Sequence, residues 1–185
     1  MKNMIYYMGD IHGEVFHVRD AIARYEISDK DVIVILGDVG MNYYGNNHGD
    51  QHRKKKLNKL GVPVFFFFFN HEMRPETIPT YHEEKWQGGA VYVEDAYPNL
   101  LFAKDGEVYT IDGKEILVCG GAYSVCKDDR SSHGLSWYPD EQPSAEIKAR
   151  VDQQLSDRNW RIDMMLTHTC PTKAVPKEKY IRTVD

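Results

Sequence analysis

Three short apolar runs constrain the fold of this chain more than any other feature of its sequence. They occupy residues 4–8, 32–36 and 62–69, and the last of them contains five consecutive phenylalanines. Runs of this length, rich in β-branched and aromatic residues, are typical of strands that are buried on both faces. Each run therefore predicts one strand of a well-covered sheet.

Helical patterns follow the first two runs. After the first run, apolar residues recur at helical spacing, at Val15, Val18, Ile22 and Tyr25. After the second run, a polar helix is predicted over residues 50–60, with Asp50 as its N-cap. The basic residues 53–56 lie on this helix and are interpreted as a solvated face rather than a binding patch. The strand–helix alternation predicts an α/β fold.

The second half of the chain reads as short strands and one helix. The predicted strands cover residues 90–93, 100–103, 107–111, 115–119 and 162–166. Asp112-Gly113 predicts a tight hairpin turn between two of them, so the middle of the chain is expected to be antiparallel. Ser144 is the predicted N-cap of a helix whose apolar residues Ile147, Val151 and Leu155 recur every four positions.

The composition favours one compact domain over residues 1–185. Lys and Arg total 23 against 28 Asp and Glu, and the net charge of -5 argues against nucleic acid as a partner. No apolar stretch is long enough for a membrane span and no signal-peptide pattern is found, so a cytoplasmic protein without a membrane partner is expected. Cys119, Cys126 and Cys170 contain no close pair and are predicted to be buried free thiols. The sequence leaves the oligomeric state open.

Metal-ligand side chains follow four of the predicted strands. Asp10 and His12 follow the first strand, Asp38 the second, Asn70 the third, and His168 the last. Functional residues of parallel sheets gather beyond the carboxyl ends of the strands, so these four ends are expected to form one site. Oxygen and imidazole ligands together favour manganese, iron or zinc over magnesium or calcium.

The order Asp-x-His, Gly-Asp, Asn-His-Glu and a later strand-end His resembles the calcineurin-like metallophosphoesterases over residues 9–168. The resemblance implies a sandwich of two mixed β-sheets flanked by helices, with two divalent transition metal ions at the strand ends. It also implies the ligands: Asp10 and His12 for the first ion, Asp38 as a bridge between both ions, and Asn70 and His168 for the second.

The same resemblance implies a reaction. Metal-bound hydroxide would attack the phosphorus of a phosphate mono- or diester, and His71 would protonate the leaving oxygen as the general acid. Arg74 could hold phosphate oxygens, and an exposed Arg74 paired with Glu72 or Glu76 is the equal alternative. The substrate would be a small-molecule or macromolecular phosphoester. The competing hypothesis is a catalytically impaired metal- or partner-binding module of the same fold, and a nucleic-acid phosphodiesterase is a third reading.

Two positions inside the motifs depart from the family pattern. Phe69 stands where the family usually has glycine, and a bulky residue does not freely adopt a positive φ. The geometry at Asn70 therefore depends on the backbone angle of Phe69. Met41 replaces an aspartate of the phosphoprotein phosphatase branch, which argues against a Ser/Thr protein phosphatase.

A third departure concerns the end of the pattern. No Gly-His-x-His motif follows His168 in the sequence. Either Cys170 serves as the last ligand of a degenerate motif, since thiolate binds zinc well, or Pro171 marks the family's earlier single-histidine motif. In the second interpretation, which is the preferred one, the sandwich is expected to be incomplete at its C-terminus.

Overall fold

The computed structural model of the protein describes residues 4–124 and 127–170 together with residue 173. The strands of this described part are β1 (Ile5–Met8), β2 (Val32–Ile35), β3 (Val64–Phe66), β4 (His82–Trp86), β5 (Gly89–Val93), β6 (Leu100–Ala103), β7 (Val108–Ile111), β8 (Lys114–Cys119) and β9 (Met164–Thr167). Its α-helices are α1 (Val15–Tyr25), α2 (His48–Asn58), α3 (Lys127–Ser132) and α4 (Ala145–Asp157), and a 3-10 turn spans Pro75–Thr77.

The first sheet has six strands in the order β1-β2-β3-β6-β5-β4. Its first four strands run parallel, with Ile33 opposite Val64 and Val64 opposite Leu100. Parallel neighbours need a crossover connection, and α1 and α2 supply the first two crossovers. Strands β5 and β4 extend the sheet antiparallel. The predicted strand–helix alternation is confirmed, and the sheet is mixed.

The second sheet has three strands in the order β7-β8-β9. Strands β7 and β8 form the predicted hairpin, and Asp112 and Gly113 both have positive φ angles, 51° and 72°. Two positive angles at these positions are typical of a type I′ turn. Strand β9 then adds parallel to β8. Both sheets are thus mixed, as the family resemblance implies.

The phenylalanine run forms the centre of the core. All five residues from Phe65 to Phe69 are at most 1% exposed, which confirms the prediction of burial on both faces. The Phe65 ring packs edge-on against Tyr109 of the second sheet, with 4.9 Å between ring centroids. Strand residues alternate between faces, so Phe66 points the other way and contacts Phe102.

Helices cover the outer faces of the two sheets. Val18 of α1 and Leu57 of α2 are fully buried in the core of the first sheet. Val151 of α4 packs with Val108 and Leu117 of the second sheet. Ser144 caps α4 as predicted, because its hydroxyl oxygen accepts the N–H of Ile147 at 3.2 Å. The α/β sandwich flanked by helices is therefore confirmed.

The beginning of α2 differs from the prediction. The helix starts at His48, and its N-cap is Asn47, whose side chain accepts the N–H of Asp50 at 2.8 Å. Asp50 instead lies inside the first turn, fully buried, and accepts the N–H groups of Tyr44 and Asn46. Asn47 and Asp50 are both residue types that are favoured as N-caps, so the sequence alone does not show which of them begins the helix.

The prediction for the basic run needs correction, and one strand was not predicted. Lys54 of the basic run is completely buried, and its ammonium group lies 2.6 Å from Glu94, so this part of the run is not a solvated face. Strand β4, which begins at His82, was not among the predicted strands. Strand β4 escaped prediction because its residues are polar and exposed at the edge of the sheet.

None of the helices among the described residues has the length and apolar character needed to cross a membrane. Cys119 and Cys170 are free thiols, as expected, but Cys119 is only partly buried and Cys170 is exposed, so the predicted burial is wrong for both. Cys126 and Pro171 lie outside the described residues.

Candidate metal centre

The loops after four strands meet at one edge of the sandwich. The first sheet contributes Asp10 and His12 after β1, Asp38 after β2, and Asn70 after β3. The second sheet contributes His168, the residue after β9. Because β1, β2 and β3 are parallel neighbours, their carboxyl ends lie side by side. The structure brings all five sequence-predicted ligands into one cluster around Asp38.

One half of the cluster is formed by Asp10, His12 and Asp38. His12 Nε2 lies 3.8 Å from Asp10 Oδ2, and His12 Nδ1 lies 3.8 Å from Asp38 Oδ2. Each residue offers one ligand atom, and these atoms lie within 4.8 Å of one another. The group is compact enough for one cation to contact all three side chains.

The other half is formed by Asn70, His168 and the second oxygen of Asp38. His168 Nε2 lies 3.0 Å from Asn70 Oδ1 and 3.7 Å from Asp38 Oδ1. The amide nitrogen of Asn70 donates to the hydroxyl of buried Ser124 at 2.8 Å. This bond turns the amide oxygen of Asn70 toward His168. Asp38 thus has one carboxylate oxygen near each half of the cluster.

The donor atoms fit divalent cations. Asp38 is 5% exposed, and within the described part of the chain its buried Oδ1 has no hydrogen-bond partner. A buried carboxylate oxygen without a partner is costly, and a cation would supply the missing interaction. Mixed carboxylate, amide and imidazole donors suit manganese, iron or zinc.

His71 faces the same carboxylate. Its Nε2 atom lies 3.9 Å from Asp38 Oδ2, and its side chain is largely buried. Burial lowers the pKa of His71, and the neighbouring Asp38 carboxylate opposes that shift. The imidazole of His71 therefore lies at the cluster. Its Nε2 atom, which could carry a proton, is directed toward Asp38.

Comparison with models of known protein families shows which family the chain belongs to. The family model described as calcineurin-like phosphoesterase matches residues 4–180. The chain belongs to the calcineurin-like phosphoesterase family. Membership implies metal-dependent phosphoester hydrolysis in general terms. Comparisons with curated proteins and with solved structures gave no match.

Phe69 does not disturb this family site. Its φ angle is not positive, so the backbone has no need of glycine there. The ring is fully buried and packs edge-on against His168, with 4.9 Å between centroids. The bulky residue therefore supports the position of one candidate ligand, and Asn70 keeps its place beside it.

Arg74 does not join the cluster, although the sequence offered it as a phosphate-binding residue. It is 6% exposed, and its guanidinium lies 2.8 Å from Asp105 and 3.9 Å from the centre of the Phe68 ring. Its Nε atom also donates to the carbonyl oxygen of Asp140 at 3.0 Å. The alternative of an exposed Arg74 paired with Glu72 or Glu76 holds only for the partner Glu76, which lies 3.9 Å away, because Arg74 is buried and its closest partner is Asp105.

Glu72 has a structural role that the sequence did not predict. Its fully buried carboxylate accepts the backbone N–H groups of Gly40, Met41 and Asn42 at 2.5, 3.0 and 2.8 Å. These residues follow Asp38 directly, so Glu72 holds the loop that presents the central carboxylate. The Asn-His-Glu triplet was the available signal, but the predicted partner of Glu72 was Arg74.

Glycines of the motifs allow the first two loops to touch. The N–H groups of Ile11 and His12 both donate to the carbonyl oxygen of Asp38, at 3.1 and 2.8 Å. A Cβ atom on Gly37 would lie 1.2 Å from Asp10 Oδ1. The Asp10 carboxylate therefore occupies the space that any side chain at position 37 would fill.

Two tyrosines lie near this cluster, and Cys170 lies outside its first half. The Tyr43 hydroxyl is 3.5 Å from His12 Nδ1, and the Tyr138 hydroxyl donates to the Tyr43 carbonyl at 2.7 Å. Cys170 is exposed and is not part of the Asp10, His12 and Asp38 group. The structure gives no support to Cys170 as a closing ligand.

Proposed function

We propose that the chain hydrolyses a phosphate mono- or diester with two divalent transition metal ions, manganese, iron or zinc, and with His71 as the general acid. One observation carries the proposal. The buried Asp38 carboxylate lies within 3.7–3.9 Å of His12, His71 and His168, which come from the ends of three different strands.

The five candidate ligands can be assigned to two cations. Asp10 and His12 would hold one ion, Asn70 and His168 would hold the other, and Asp38 would contact both through its two oxygens. Asn70 supplies an oxygen without adding negative charge. When bound, divalent ions at such a site supply a water of lowered pKa and offset negative charge on the phosphate.

The protein residues position the substrate and the proton. His71 Nε2 is directed toward the cluster, so a proton held there is placed for transfer to the leaving oxygen. Glu72 and Ser124 fix the loop of Asp38 and the amide of Asn70 before substrate arrives. A fixed constellation of this kind lowers the cost of organising groups during the reaction.

The substrate, the partners and the location are predictions that follow from the sequence. A small-molecule or macromolecular phosphoester is the expected substrate. The net charge of -5 gives no support to nucleic acid. A cytoplasmic location stays a prediction.

The test is hydrolysis of p-nitrophenyl phosphate and bis-p-nitrophenyl phosphate with added manganese. We expect turnover that Asp38→Asn and His71→Ala abolish or reduce by at least about 100-fold, the scale of general-acid contributions. His52→Ala, at an exposed position of α2, is the matched control and should keep wild-type turnover. Tight metal binding without turnover on either ester would instead support the metal-binding module.

A further inference from the structure

A groove between α1 and α2 adjoins the metal centre and has a basic lining. Its volume is about 330 Å³, at the lower end of the roughly 300–1,000 Å³ of small-molecule sites. The lining residues that matter here are Gly13, Glu14, Phe16, Arg19, Arg53 and Lys56. Three cations face one carboxylate, so the groove favours an anion.

The groove lies next to the loop that carries the candidate ligand His12. Gly13 directly follows His12, and a Cβ atom on Gly13 would lie 2.4 Å from the Arg53 side chain. The Arg53 guanidinium lies 5.1 Å from the centre of the Tyr43 ring, whose hydroxyl is near His12. Arg53 therefore contacts both the groove and the loops that carry His12 and Asp38.

The three cationic side chains of the groove differ in how strongly they already bind other residues of the protein. Arg53 pairs with Asp50 and donates to the carbonyl oxygen of Gly40 at 2.8 Å. Among the described residues, the ion-pair partner of Arg19 is its exposed neighbour Asp20, at 3.6 Å, and an exposed pair of this kind contributes little. Lys56 is exposed and forms no ion pair with another described residue. Arg19 and Lys56 are thus free to bind an incoming anion.

The start of α1 adds to this preference. The helix has Glu14 as its N-cap residue, without a side-chain capping bond, and no acidic residue in its first turn. Its first N–H groups and its dipole favour negative charge at that end. Phe16 is 46% exposed beside the groove and offers an apolar surface to the linker of a ligand.

We propose that this groove binds a second phosphoryl group of the substrate, so that the preferred substrates carry two phosphoryl groups separated by a short linker. This inference rests on the proposed function in one respect: the phosphoryl group that is cleaved is placed at the metal centre. Binding of an anion in the groove depends on Arg19 and Lys56 and can be measured without hydrolysis.

The experiment compares butane-1,4-bisphosphonate with butylphosphonate by isothermal titration calorimetry in the presence of manganese. Neither probe can be hydrolysed, and they differ by one phosphonate group. We expect the bisphosphonate to bind at least about tenfold more tightly, which corresponds to about 1.4 kcal/mol. In the double variant Arg19→Gln/Lys56→Gln this ratio should fall close to one.

Lys148→Gln is the matched control, because Lys148 is an exposed lysine on α4, which packs on the second sheet. It should keep the wild-type ratio. Equal binding of the two probes to the wild type, or an unchanged ratio in the double variant, would overturn the proposal. Failure of the p-nitrophenyl phosphate assay would contradict the hydrolase function while leaving this binding ratio to decide the groove.

Discussion

The carboxylate of Glu72 accepts the backbone N–H of Gly40 across 32 positions of sequence, at 2.5 Å and without contact to solvent. This bond joins the loop after β3 to the loop after β2. Since the N–H groups of Met41 and Asn42 bind the same carboxylate, one side chain fixes the whole turn that follows Asp38. Metal binding by Asp38 is therefore tied to a residue that need not touch the metal.

Replacing Glu72 tests this coupling. In Glu72→Ala, three buried N–H groups lose their acceptor, and each such loss costs about 1–3 kcal/mol. We expect a lower free energy of unfolding in urea and weaker manganese binding by calorimetry. Glu76→Ala, which removes a half-exposed carboxylate from the same segment, should change both far less. Wild-type manganese affinity in Glu72→Ala would contradict the coupling.

Gly37 provides a more local test of the first metal position. A methyl group at this residue would coincide with Asp10 Oδ1, so Gly37→Ala must displace that carboxylate. We expect manganese affinity to fall by about 10–100-fold, the scale found when groups that orient ligands are altered. Gly9→Ala is the control from the neighbouring loop, because no atom lies within 4 Å of its added Cβ. Equal affinities of the two variants would argue against Asp10 as a ligand.

The sequence predicted the parallel strands and their ligand-bearing ends because both depend on local patterns. Apolar runs specify buried strands, and the residues directly after Met8, Ile35 and Phe66 inherit the geometry of the sheet edge. Convergence of these ends follows from parallel pairing alone. His168 reaches the same edge from the second sheet, and for this residue the family pattern carried the prediction.

Long-range polar partners could not be predicted in the same way. Arg74 binds Asp105 and the carbonyl oxygen of Asp140, which are 31 and 66 positions away. Neither partner has a periodicity or a spacing that links it to Arg74. Strand β4 was missed for another reason: an exposed edge strand of polar residues lacks the apolar alternation on which strand prediction depends.

Phe69 is expected to contribute stability that glycine cannot. Its ring is fully buried and contacts both Phe67 and His168. Phe69→Gly should therefore lower the free energy of unfolding by at least about 3–5 kcal/mol, the usual cost of truncating a buried phenylalanine. Phe69→Leu should cost less, since it refills most of the space. A more stable glycine variant in urea titrations would show that the family residue suits this backbone better.

Arg74 is expected to affect stability rather than turnover. Arg74→Met leaves Asp105 buried without its cation, a change that costs about 3–5 kcal/mol in comparable pairs. Arg74→Lys keeps the charge but loses the bond to Asp140 and should fall between Arg74→Met and the wild type. Urea unfolding and kcat on p-nitrophenyl phosphate measure the two effects separately, with the exposed Arg161→Met as control. A large loss of kcat in Arg74→Met together with wild-type stability would support the original prediction that Arg74 holds phosphate oxygens.

Acid should weaken the fold through Asp31. The N–H of Met4, together with the hydroxyl and the N–H of Ser28, lowers the pKa of Asp31. Because the folded protein takes up this proton at a lower pH than the unfolded chain, the carboxylate stabilises the fold above the unfolded pKa. That contribution is lost as the pH falls through the folded pKa. Asp31→Asn should therefore be less stable than the wild type at pH 7 and should approach it toward about pH 3, below the unperturbed pKa of about 3.9.

Urea midpoints at pH 7, 5 and 3 measure this difference between Asp31→Asn and the wild type. Asp29→Asn removes an exposed carboxylate two positions away and should show no comparable convergence. Since the Met4 bond anchors the residue before β1, and β1 carries the loop of Asp10 and His12, the same variant links acid stability to the strand that delivers the first two candidate ligands. A difference between Asp31→Asn and the wild type that stayed constant over this pH range would mean that the carboxylate charge has no part in holding β1.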